Sequence, residues 1–355
     1  MENQTQPSNQ KSLEDAQDEP NQIDAIAVKR RWFRGDPDGV MYPTVKDYMS
    51  GSLDLDSAVE KLAKPVEQQF STADNGRAIR RAEEVAASQR QYHSPEEADK
   101  IWGTPLPEDE LPPVEPSSND TPTTEGHLWD LWYSVLHCAR RTPWRDSASQ
   151  NRLLDLVRAL GARPDPPLPT QMTIPLKQDW MWSSGKLWSK LLMLGPSTRE
   201  CWNDCPRGES DTSPPEIHAW TNINAFVAAI TKEGLSNFWL YAIWAMRSGL
   251  EESPKARSSV GDHDLHVPAA AVWIMVAGEE IRKRDDVWEA SRTGGDPACG
   301  GDLWKGKRGF CTERWDFWKS RFNTLRQQEG LWAETREIAA EAFRKMESLD
   351  NATAE

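Results

Sequence analysis

The chain is poor in the residues that most often announce chemistry. Its 355 residues hold only five cysteines and six histidines. The cysteines are odd in number and irregularly spaced, which excludes a disulfide framework. Cys201 and Cys205 have Asp204 between them but no second Cys/His pair at zinc-finger distance, so they read as ordinary thiols. No apolar run reaches the roughly 20 residues of a membrane span. The most apolar stretches, Phe238–Met246 and Val267–Gly278, are instead expected to be buried helices. Met1 is followed by polar and acidic residues, so no secretory leader is expected and the chain reads as intracellular, cytoplasmic or nuclear. Cations are outnumbered: Lys+Arg 42 against Asp+Glu 56 gives a formal charge of −14, which repels a phosphate backbone and excludes general nucleic-acid binding. Strand-like alternation is nowhere sustained.

What the chain does have is tryptophan, 18 of them, nearly all after residue 125. Each buried indole removes a large apolar area from water, so a hydrophilic chain (mean hydropathy −0.73) can still build a core. Trp220, Trp273, Trp315 and Trp318 fall on apolar helical faces and are assigned to packing. The pattern predicts an all-α fold: an irregular multi-helix bundle with a Trp-rich core. Residues 1–22 are polar, acidic and Gln/Asn/Pro-rich and read as a disordered tail, with order starting near Ile23. A single helical domain is expected over 43–348, with 103–124 as a Pro-rich acidic loop or linker inside it.

Helix signals are clear in places. Asp54 is an N-cap ahead of Leu55, Val59, Leu62, Val66 and Phe70, with Pro65 expected to kink or split that helix. Ser94-Pro95-Glu96-Glu97 and Ser147-Ala148-Ser149-Gln150 both read as capping boxes. A partly helical segment is expected over Trp180–Leu194. Pro268 suits the first turn of an apolar helix, and Thr312 a cap for the helix bearing Trp315 and Trp318.

Four constellations bear on chemistry. Gly301 to Arg308 nearly spells a phosphate-binding loop, but Arg308 stands where the magnesium-holding hydroxyl belongs and no strand precedes it, so the glycines are read as shaping a tight loop. Asp262-His263-Asp264-Leu265-His266 gathers metal-ligand types; His263 and His266 are the candidate ligands, against a reading as solvated loop residues and a helix N-cap. Lys29 to Arg34 reads as the start of a basic amphipathic helix, an import signal or an ordinary solvated segment, the last being favoured. Glu251, four residues after Arg247, suits a helix-surface ion pair. His137 reads as a core or boundary histidine. No catalytic residue is assigned and no cofactor is expected. Asn224, Arg314 and Trp315 are the candidate ligand-binding residues.

Several segments resemble a family of uncharacterised filamentous-fungal proteins that share a domain of unknown function. They are Tyr48–Gly51, Gln150–Val157, Trp220–Phe226, Ala270–Gly278 and, most distinctive, Gly309–Phe322 with Glu313-Arg314-Trp315 and Trp318. They span about 43–346. The resemblance implies a helical intracellular domain and supplies neither activity nor site. With catalytic signatures missing, the reading is a non-catalytic protein acting on a protein partner. The alternative is a small-molecule binder or enzyme with an inter-helix pocket.

Overall fold

Every regular element among the described residues is helical. The structure, a computed structural model, describes residues 9–71, 75–111, 123–167, 186–208, 212–253, 261–288 and 296–354. Its α-helices are α1 (Asn9–Arg30), α2 (Met41–Ser50), α3 (Leu55–Ser71), α4 (Asn75–Arg90), α5 (Pro95–Trp102), α6 (Thr124–Arg141), α7 (Ser147–Ala162), α8 (Leu194–Cys201), α9 (Pro214–Lys232), α10 (Trp239–Met246), α11 (Asp262–Arg282), α12 (Thr312–Leu325) and α13 (Ala333–Ala354). Among the described residues the sole β pairing is an isolated antiparallel bridge, Val287 to Gly309. The all-α expectation therefore holds.

Local chemistry explains several helix ends. Asp54 Oδ1 accepts the Ser57 N–H at 2.9 Å, and the Ser94/Glu97 box is reciprocal as expected. The second box is displaced by one residue: Asp146, not Ser147, accepts from the Ser149 N–H at 3.1 Å. The residue that precedes α12 is Cys311, with Thr312 already inside the helix. Pro65 does not split α3, which runs on to Ser71. The Pro-rich loop expectation over 103–124 falls largely on 112–122, and the start of the tail on 1–8, both outside the described residues.

Two compact units divide the chain. One comprises 34–135 and 155–199. In it α2 packs on α3, whose Val59, Leu62, Val66 and Phe70 face is buried. Glu67, on the same helix, is held by Arg163 and by the indole of Trp188, which donates to Glu67 Oε1 at 2.8 Å. These bonds keep the Glu67 carboxyl below its ordinary range, Arg163 contributing most and burial opposing. Around Trp188 the expected helix does not form. Leu191 and Met193 take positive φ (44° and 70°), and the backbone turns until α8 begins at Leu194. Of the Trp180–Leu194 expectation, 180–185 lie outside the described residues.

The other unit gathers 1–33, 136–154 and 200–355. Here α11 is the central element, packing against α9, α10 and α13, while α12 packs on α13 and α1 on α9. Trp220, Trp273, Trp315 and Trp318 are all buried, as expected of packing residues. α1 begins upstream of Ile23, because its later turns have partners. Ile23 and Ala27 are buried with Ala219, and Glu19 meets His218 at 2.7 Å. In the basic Lys29–Arg34 segment Lys29, Arg31 and Arg34 are exposed, as a solvated segment requires, while Arg30 and the two aromatic residues are anchored. Arg30 pairs with Glu216 at 3.1 Å, Trp32 is buried under the Arg140 guanidinium, and Phe33 stacks on His137. His137 is the core histidine anticipated, 2.9 Å from Asp24.

α11 also departs from expectation. It starts at Asp262, so the Asp-His-Asp segment is helical and not a loop, and Pro268 lies well inside rather than in the first turn. His263 and Asp264 are buried, not solvated; Asp264 Oδ1 accepts the backbone N–H of Trp332 at 3.0 Å. That bond, made to an element far along the chain, compensates the cost of taking the carboxylate out of water.

Candidate functional site

α10 does not end in a regular turn. It widens into a π-helical segment, Arg247–Glu251, closed by the Glu252 N–H donating to the Arg247 carbonyl at 3.1 Å. Such widened turns are uncommon and concentrate at functional sites. Gly249 makes this one possible. A β-carbon there would stand 2.9 Å from the His266 carbonyl oxygen and 3.0 Å from Ala270 Cβ, so only glycine lets the turn lie directly on α11.

The turn delivers Glu251 into the interior, where neither it nor Arg314 is exposed at all. Arg314 Nε donates to Glu251 Oε1 at 2.7 Å and Nη2 to Oε2 at 2.8 Å, a two-point fork. The Trp318 indole adds a third bond to Oε1 at 2.6 Å, and the Gly301 N–H a fourth to Oε2 at 3.1 Å. The rest of the guanidinium is used on the loop before α12: Nη1 reaches the carbonyls of Gly309 (2.8 Å) and Ala298 (3.2 Å), and Nη2 that of Cys299 (3.3 Å). Gly301 has to be glycine because a β-carbon would run into the Glu251 backbone. The near phosphate-loop sequence thus wraps a carboxylate of its own chain. The expected Arg247–Glu251 surface pair is replaced: Arg247 lies 3.8 Å from Glu252, and Glu251 is internal.

One residue beyond this hub the chain surfaces beside a cleft of about 230 Å³. Ser248, Glu252 and Ser253 line it from the π turn, Leu265 and His266 from α11, and Pro206 and Arg207 from the segment after α8. The backbone N–H of Ser253 donates to Asp302 Oδ1 at 2.8 Å, tying that wall to the glycine-rich loop. Behind the cleft, Cys205 Sγ stands 3.9 Å from His266 Nδ1. Burial pushes the Cys205 thiol up to about 12, with the nearby Arg207 opposing. That shift favours the protonated thiol, the less nucleophilic form, at neutral pH.

The residues singled out from sequence meet different partners. Arg314 is the hub cation. Trp315 is buried and donates from its indole to Asp350 Oδ1 at 2.9 Å. Asn224 is fully buried between Trp220, whose carbonyl accepts its amide at 2.9 Å, and Trp273, whose indole donates to it at 3.0 Å. Of the two histidines only His266 reaches the cleft. Among the described residues no three His, Cys, Asp or Glu side chains gather as metal ligands. Arg207, Ser248 and Glu252 were not identified from sequence; only the irregular end of an apolar helix followed by Glu-Glu hinted at them.

A second polar node joins α1, α9 and α13. His218 bridges Glu19 (Nδ1, 2.7 Å) and Glu334 (Nε2, 3.1 Å). Burial lowers the imidazole, but the two carboxylates together outweigh it and hold it at about 10.

Comparison with known proteins places the chain in a family. The family described as Protein of unknown function (DUF3632) matches residues 132–322, more than half of the chain, and the chain belongs to it. No curated protein matches, and no solved structure does. No helix of the described residues is long and apolar enough to cross a membrane.

Proposed function

We propose that this member of the DUF3632 family is a non-catalytic binding protein whose principal partner is another protein. The observation that carries the reading is how the buried ionisable groups are used. Glu251, Arg314, Arg140, Asp204 and His137 are each engaged in fixed bonds inside the fold. A general acid or base has to exchange protons with a substrate, and groups committed to structural hydrogen bonds are poorly suited to that work. The cleft offers one imidazole, but the adjacent thiol favours its protonated form. A cytoplasmic or nuclear location and a fungal source accord with this reading; five free cysteines suit a reducing compartment.

The second reading, a small-molecule site between helices, is favoured by one observation, the polar cleft at the π turn. A substrate screen spanning hydrolytic, transfer and redox reactions separates binding from catalysis. Purified protein should give no turnover that depends on Cys205 or His266. Turnover abolished by His266→Ala in a normally folded variant would overturn the non-catalytic reading.

A further inference from the structure

We propose that the cleft beside the π turn binds a small zwitterion of the amino-acid class, its anionic end on Arg207 and its ammonium on Glu252. This rests on the reading of the chain as a binding protein and names a ligand for its cleft. Opposite charges line the same cleft: a guanidinium from the segment after α8 and a carboxylate from the end of the π turn. Two serines, Ser248 and Ser253, supply hydroxyls that both donate and accept, and His266 adds a ring nitrogen. A volume of about 230 Å³ is below the ~300–1,000 Å³ of sites for drug-sized molecules, so the occupant is a small metabolite.

Charge pattern narrows the class further. A simple anion would be attracted by Arg207 and repelled by Glu252; a simple amine would meet the reverse. A molecule carrying both charges satisfies both residues. Glu252 already has Arg247 at 3.8 Å, and a carboxylate accepts several donors, so an incoming ammonium joins contacts that are already made. The wall from the π turn is also fixed before a ligand arrives. Glu252 follows the locked Glu251, Ser253 is tied to Asp302, and Gly249 seats the turn on α11. Preorganisation of this kind reduces the ordering cost that weakens binding of small ligands.

The test is isothermal titration of the full chain with each of the twenty L-amino acids, then with the deaminated acid and the decarboxylated amine of any that bind. At least one amino acid should bind saturably, and both half-molecules about tenfold or more weakly. Arg207→Ala should weaken the amino acid while strengthening the amine, and Glu252→Gln should weaken it while strengthening the acid. Absence of saturable binding by any amino acid, or an acid that binds as tightly as its parent, overturns the site. Proton spectra of the bound ligand after long incubation keep the two readings apart. An intact ligand supports both. A consumed ligand supports the site and overturns the non-catalytic reading, whereas no binding overturns the site alone.

Discussion

Removing the Glu251 carboxylate should be among the most damaging single changes in this protein. Glu251→Leu leaves the Arg314 guanidinium buried with no counter-charge and strips acceptors from the Trp318 indole and the Gly301 N–H. Breaking a buried ion pair by deleting one partner costs about 3–5 kcal/mol, chiefly because the surviving charge stays out of water. The orphaned neutral donors push the value to the upper end of that range. Against a typical total stability of ~5–15 kcal/mol this is a third or more. The reverse single change, Arg314→Met, should cost about as much, because it also leaves the carbonyls of Ala298, Cys299 and Gly309 without their donor. The double variant Glu251→Leu/Arg314→Met removes both charges and refills the space. Its cost should be close to that of either single variant and not to their sum, so the coupling equals one single's cost, about 4–5 kcal/mol. Urea unfolding followed by far-ultraviolet circular dichroism measures all three. Singles costing under about 1 kcal/mol, or a double equal to their sum, would refute the argument that the pair is dry and mutually dependent.

Three further outcomes follow from the same geometry. Because His218 is raised from its ordinary 6.5 to about 10, the stabilisation from its clamp is complete below about pH 6.5 and disappears as pH rises through about 10. Unfolding free energies from urea titrations should therefore fall by about 1–2 kcal/mol on that alkaline side, the node being partly exposed, and His218→Gln should remove the decline. Trp315→Ala should destabilise by about 3–5 kcal/mol in thermal or urea melts; a variant that melts like the parent would mean that this indole does not pack as described. Cys205, held near 12, should react with iodoacetamide at neutral pH far more slowly than a free cysteine, and labelling at the free rate by mass spectrometry would contradict its protonated state.

Much of the fold could be read from the chain because apolar spacing and caps are local. The face Val59–Leu62–Val66–Phe70, the Ser94 box and the buried indoles on α9, α11 and α12 are all written within a few residues of themselves. Elements that depend on distant partners were not legible. α1 starts early because Glu19 finds His218, and part of the Lys29–Arg34 run is anchored because Trp32 lies under Arg140. The first turn of α11 looked like a loop because its Asp and His residues suggest water, yet Asp264 is buried against the Trp332 backbone. The hub shows the limit most clearly. Local spacing pairs Glu251 with Arg247, four residues away, whereas its actual partner is 63 residues downstream. The cleft inherits that difficulty, since its walls come from three separated stretches of chain.

That same separation governs when this half of the protein can be made. Its segments are 1–33, 136–154 and 200–355, so the opening helix leaves the ribosome long before the α9 residues it packs on. Translation at about 5–20 residues per second imposes seconds of waiting, with Ile23 and Trp32 uncovered throughout. Closure comes only with Arg314 and then Glu334, far downstream of that helix. A nascent chain stalled before residue 314 should accordingly remain protease-sensitive in this half and recruit chaperones that hold exposed apolar segments.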